Sequence, residues 1–171
     1  IPNLWIKSKG ETEKNAPRPF LENLDSLPMP DRQMWDEWHQ DTRGLTDVVL
    51  LGRGCPFECS YCCNHALKKV ATGTYCRVRS PENIIEEVRS LRLQYPCCQE
   101  IYFEIETFGV NKEWATQLCN SLILLNRTLE SPLSFGVNLR IVPKTDYTEL
   151  LTLCKKSNRH MHLTGRYENS I

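Results

Sequence analysis

Residues 45–62 read LTDVVLLGRGCPFECSYC. The first seven, 45–51, are a short, mostly apolar run closed by Gly52, the pattern of a strand buried on both faces. A loop follows directly, punctuated by Gly52, Gly54 and Pro56, and carries Cys55, Cys59 and Cys62 with the spacing C-x3-C-x2-C. Thiolate is the soft ligand that iron–sulfur clusters prefer, and three thiolates on one short loop can each reach a different corner of a cubane. Three protein ligands leave one iron open, and an open position separates a catalytic metal from a closed structural one.

Working outward, strand and helix patterns alternate. Ser80 caps and Pro81 opens a helix in which Ile84, Val88, Leu91 and Tyr95 recur at helical spacing until Pro96 stops it. Residues 100–105 read as the next strand, and Asn111 caps a second helix with Trp114, Leu118 and Leu122 on one face. Residues 134–139 read as a third strand. Asp146, with Glu149 at capping-box spacing, opens a third helix with the stripe Tyr147, Leu150, Leu151 and Cys154, and residues 160–164 read as a fourth strand. The order βαβαβαβ belongs to a parallel sheet with right-handed crossovers. The expected fold class is α/β, a partial β/α barrel of about three βα units and a fourth strand. A complete barrel takes about 200 residues or more, so residues 45–171 are expected to be the N-terminal part of a larger domain. Chemistry in such sheets sits at the carboxyl ends of the strands.

Residues 1–44 read differently. Pro17, Pro19, Pro28 and Pro30 forbid a continuous helix, with room for a short one from Asp31 through Met34, Trp35 and Trp38. The stretch reads as a linker packed along another domain through Trp5, Phe20, Leu21, Leu24, Leu27 and the tryptophans. Disorder is the alternative, opposed by that aromatic and leucine content.

Lys and Arg number 21 and Asp and Glu 21, so no net charge draws the chain to nucleic acid or to an anionic membrane. There is no run of 18 apolar residues for a membrane span, and Ile1-Pro2-Asn3-Leu4-Trp5 does not read as a signal peptide. Nine cysteines, three of them within eight residues, fit a reduced cytoplasmic compartment and metal-ligating thiols better than a disulfide framework. Cys119 and Cys154 fall on apolar helix faces as small hydrophobes, and Cys97-Cys98 at a helix end has no expected chemical role.

The stretch Gly52–Cys62 resembles the cluster loop of the radical S-adenosylmethionine enzymes, whose C-x3-C-x2-C motif follows the first barrel strand. The resemblance implies a [4Fe–4S] cluster on Cys55, Cys59 and Cys62. It also implies S-adenosylmethionine on the open iron, and its one-electron cleavage to methionine and a 5′-deoxyadenosyl radical. Tyr61 fills the place of an aromatic near the adenine. Residues 23–32 (NLDSLPMPDR) resemble the segment that joins a cobalamin-binding domain to the radical domain in one subgroup, and residues 62–67, 77–83 and 101–108 are similar to that subgroup too. This implies an absent cobalamin-binding domain before residue 1. The implied activity is methyl transfer or rearrangement of a small molecule, with a flavodoxin- or ferredoxin-type electron donor.

Relatives carry paired acids before a Thr-Phe; here Ile105 separates Glu104 from Glu106. Strand alternation places both on one face. By resemblance Glu106 meets the cofactor ammonium; the alternative is an acid ending a strand in solvent. Asn138 and Arg140 end the third strand and suit the cofactor carboxylate or ribose, with a surface Arg as the alternative. Gly165–Ser170 departs from the family's turn, leaving Glu168 a weak candidate. The rival for the cysteines is a closed zinc set completed by Cys63 or His65, in a non-catalytic protein that uses the loop for structure or electron transfer. Against it, structural zinc uses two separated ligand pairs. His65 otherwise reads as a solvated loop histidine, and Cys63 as pointing away from the metal.

Overall fold

The computed structural model describes residues 1–38, 45–142, 144–157 and 163–166. Two strands absent from the sequence reading open the chain, β1 (Trp5–Ser8) and β2 (Glu11–Lys14), paired antiparallel. Lys9 and Gly10 join them with φ of 51° and 87°. Two successive left-handed residues give a turn whose twist matches the strands. The short helix expected near Trp35 is present in 3-10 form, Gln33–Trp38.

The remaining elements are β3 (Thr46–Leu50), β4 (Gly52–Arg53), α1 (Asn64–Leu67), β5 (Arg77–Val78), α2 (Pro81–Gln94), β6 (Glu100–Phe108), α3 (Lys112–Thr128), β7 (Ser134–Arg140), α4 (Thr148–Ser157) and β8 (Leu163–Arg166). The sheet runs β3-β6-β7-β8, every neighbouring pair parallel, with a helix between successive strands from β3 onward. This is the expected α/β order of a partial barrel. The fourth strand is described over Leu163–Arg166; residues 160–162 of the expected strand lie outside the described residues.

Alternation sorts the sheet into two faces. Val49, Leu51, Ile101, Phe103, Phe135 and Val137 are buried beneath the helices, with the rings of Phe103 and Phe135 stacked at 5.4 Å. The helices answer with Ile84, Val88 and Leu91 of α2, Leu118, Cys119 and Leu122 of α3, and Leu150 and Cys154 of α4. Cys119 and Cys154 are indeed core, their sulfurs 3.6 Å apart. The other sheet face is more open, which corrects the expectation for the first strand. Val48 is 49% exposed while Val49 is wholly buried, because the packed helices cover only the odd-numbered face.

Two of the helix starts read from sequence are capped as expected. The third helix begins only at Thr148, whose amide Asp146 Oδ1 accepts at 2.8 Å, so Asp146 and Glu149 form no capping box. Asn111 Oδ1 accepts the Trp114 amide at 3.1 Å, and Ser80 Oγ accepts the Asn83 amide at 3.1 Å. Pro81 supplies the first helical residue of α2. The Asp25 carboxylate reaches across to accept the Ser80 amide at 3.0 Å, so the segment before residue 45 completes the start of this helix. Ser80→Ala is expected to cost about 1 kcal/mol, read as a lower urea midpoint at unchanged m-value. An unchanged midpoint would show that the cap contributes nothing.

A buried ion network lies behind the same helix start. The Arg32 guanidinium donates to Asp47 and Glu87, each at 2.6 Å, and Arg79 donates to the other Glu87 oxygen at 2.5 Å. Glu87 is 3% exposed. Arg79 also donates to the Leu50 carbonyl at 2.8 Å and to Asn83 Oδ1 at 2.7 Å. Thus the 23–32 segment, α2 and β3 are held by one set of charges.

Candidate functional site

The loop that leaves β3 is shaped first by glycine. Gly54 has φ of 87°, and a Cβ there would lie 2.3 Å from the Tyr75 carbonyl oxygen, so the backbone passes against the 75–78 stretch where no side chain fits. β4 and β5 form a two-residue antiparallel ladder at this point. The loop then tightens, with the Cys62 amide donating to the Cys59 carbonyl at 3.0 Å. α1 follows directly and carries Asn64.

The sheet supplies the opposite wall. The β6–β7 register breaks between Phe103 and Phe108, so residues 104–107 form an irregular stretch beside the end of β7. Bulges of this kind re-aim side chains at strand ends. Ile105 and Thr107 turn inward and are buried, while Glu104 and Glu106 are exposed on the other side. Glu106 Oε1 accepts the Gly54 amide at 3.3 Å, tying the acid to the base of the cysteine loop.

Between these walls lies a cavity of about 320 Å³. Cys55, Cys59, Tyr61 and Cys62 line one side, Glu104 and Glu106 another, and Asn138 and Arg140 the third. All eight residues singled out for metal or cofactor contact therefore border one space at the carboxyl ends of the strands. Glu168 lies outside the described residues.

The three thiols differ in surroundings. Burial pushes the Cys55 thiol pKa up, whereas the Asn64 backbone N–H and then its side chain pull that of Cys62 down. Asn64 Nδ2 sits 3.5 Å from the Cys62 sulfur, and its Oδ1 accepts the Tyr75 hydroxyl at 2.6 Å. Arg140 Nη1 donates to the Cys59 sulfur at 3.0 Å, and its guanidinium lies 3.9 Å from the centre of the Phe57 ring. Asn64, Tyr75 and the Arg140–Phe57 contact were missed by sequence reasoning. Asn64 had a signal, an amide two residues past the last cysteine; Tyr75 arrives through tertiary packing and had none.

His65 corrects another expectation. It belongs to α1, and its Nδ1 is buried without a hydrogen-bond partner, so it is no freely solvated loop histidine. Cys63 is exposed, and Cys98 is buried. Among the described residues, no three His, Cys, Asp or Glu side chains gather around a single metal ion.

The residues present fit an iron–sulfur cluster by their chemistry. Three thiols on one loop open into a shared cavity, and two of their sulfurs already receive N–H donors, as anionic ligand sulfur requires.

No protein-family model matches the chain. An uncharacterised methyltransferase of Pyrococcus horikoshii is 32% identical over 120 residues, 69% of this chain and 25% of that protein. Among solved structures, TsrM from Kitasatospora setae, a radical S-adenosylmethionine methyltransferase with cobalamin and a [4Fe–4S] cluster bound, aligns with a TM-score of 0.56. Identity is 18%, and the match covers 92% of this chain and 29% of TsrM. OxsB, a cobalamin-dependent S-adenosylmethionine radical enzyme with aqua-cobalamin and S-adenosylmethionine bound, aligns at 0.64 with 17% identity, covering 89% of this chain and 22% of OxsB. The likeness to these structures is one of fold, and the cysteine loop occupies the end of the first sheet strand within it.

The chain is similar in sequence to that methyltransferase and in fold to these radical S-adenosylmethionine enzymes. The chain spans about a quarter of the length of the methyltransferase relative. No helix among the described residues is long and apolar enough to cross a membrane.

Proposed function

We propose that this chain is the radical-generating part of an enzyme, with Cys55, Cys59 and Cys62 holding a [4Fe–4S] cluster and the adjoining cavity holding S-adenosylmethionine. The observation that carries the reading is the shared cavity of about 320 Å³, where three thiols face two carboxylates, an amide and a guanidinium across the strand ends. When bound, the cluster supplies one electron that breaks S-adenosylmethionine into methionine and a 5′-deoxyadenosyl radical.

The chain's own residues position that cofactor. Glu106, fixed by the Gly54 amide, presents a carboxylate to an ammonium group, with Glu104 beside it. Asn138 and Arg140 offer N–H donors to a carboxylate or ribose hydroxyl. Tyr61, 69% exposed, is able to lie against adenine. Three thiols on a single loop suit separate cluster corners better than zinc, whose structural sites draw on two separated ligand pairs.

Cobalamin binding in TsrM and OxsB supports a cobalamin-dependent methyl transfer or rearrangement of a small molecule as the outcome. Residues 1–44 then serve as the linker from a cobalamin-binding domain, and residues 45–171 as the first part of the radical domain. A flavodoxin- or ferredoxin-type donor in the cytoplasm reduces the cluster. Anaerobic reconstitution with iron and sulfide tests the reading. A brown protein that releases 5′-deoxyadenosine on reduction is expected. A colourless protein with stoichiometric zinc and no cleavage would overturn it in favour of a structural metal site.

A further inference from the structure

We infer that Arg140 is a positioning residue that sets the cluster's reduction potential through Cys59, an inference that rests on the cluster reading above. The guanidinium is held by two contacts, and the strand end that carries it by a third. Nη1 donates to the Cys59 sulfur at 3.0 Å. Its Cζ lies over the Phe57 ring, 3.9 Å from the centre, and Phe57 sits on the cysteine loop itself. Behind it, the Tyr147 hydroxyl donates to the Arg140 carbonyl at 3.2 Å and accepts the Val142 amide at 3.2 Å, pinning the strand end that projects the side chain. β7 continues through this residue, whose register partner is Arg166 of β8.

The three sulfurs are therefore treated unequally. Cys62 meets a neutral amide at 3.5 Å, whereas Cys59 meets a cation at 3.0 Å. Reduction adds one negative charge, shared between the cluster and its thiolates. A cationic N–H on a ligand sulfur stabilises the reduced form more than the oxidised form, so it raises the potential. With five N–H donors, Arg140 can serve the sulfur and still present others to a cofactor carboxylate.

The test is an EPR-monitored redox titration of the reconstituted protein without S-adenosylmethionine, comparing wild type, Arg140→Gln and Phe57→Leu. Arg140→Gln is expected to make the cluster about tenfold harder to reduce, a midpoint lower by about 59 mV for one electron. Phe57→Leu, which loosens the cation without removing it, is expected to shift the midpoint the same way by less. A cluster-loaded Arg140→Gln protein with the wild-type midpoint would overturn the inference while leaving the cluster reading intact. If Arg140→Gln binds no iron, the Phe57→Leu midpoint decides: lower supports the inference and unchanged overturns it. A wild type with no [4Fe–4S] signal overturns both readings.

Discussion

Replacing Cys62 with alanine is expected to abolish both the cluster and the release of 5′-deoxyadenosine. The turn from Cys59 to Cys62 and the Asn64 contact hold this residue in the lining of the cavity, and two remaining loop thiolates cannot hold three corners of a cubane. Iron is expected to fall from about four per chain toward zero. Cofactor cleavage should drop by more than the ~100-fold that loss of an outer-shell partner costs. Cys63→Ala is the matched control, since that neighbouring thiol is exposed and does not line the cavity. It should keep its colour. Iron and sulfide analysis of the two variants checks this, and a brown, active Cys62→Ala protein would remove Cys62 from the ligand set.

Replacing Glu87 with alanine is expected to be the most destabilising change away from the site. Its two oxygens separately accept Arg32 and Arg79, in surroundings where its side chain is 4% exposed and theirs 15% and 10%. Removing one member of a buried ion set leaves the others charged in a poorly hydrated place, at about 3–5 kcal/mol. Glu87→Gln keeps hydrogen-bonding capacity and should cost less. Urea unfolding of the two variants against wild type reads the difference. A loss below about 1 kcal/mol would mean that water reaches the arginines, as it does for exposed pairs.

Much of the frame was legible because it is written in local chemistry. Ser80-Pro81 and Asn111 mark helix starts through their own side chains, and the apolar spacing after them fixes the buried face without any distant partner. The cysteine loop was legible for the same reason. The β1–β2 hairpin was not, because its eight strand residues are all exposed and its turn uses Lys9, which has no special preference for positive φ. The second sheet strand was read too short. Residues 106–108 continue β6 past an irregular register with β7 that periodicity cannot show.

The ion network and the sulfur contacts were illegible for a further reason. Arg32 and Glu87 are 55 residues apart, and Arg140 and Cys59 are 81 apart. Residue type reveals that each carries a charge or a thiol, but only the folded sheet decides which of them meet.

The Asp25 and Arg32 contacts carry a practical consequence for anyone dissecting the molecule. Composition draws a boundary near residue 45, yet the hydrogen bonds cross it, since Asp25 completes the start of α2 and Arg32 satisfies Glu87 and Asp47. A truncation at that boundary would strip the barrel of its own parts. Chimeras and shortened versions should therefore carry residues 23–32 along with the barrel, as a clasp inherited together with the body it fastens.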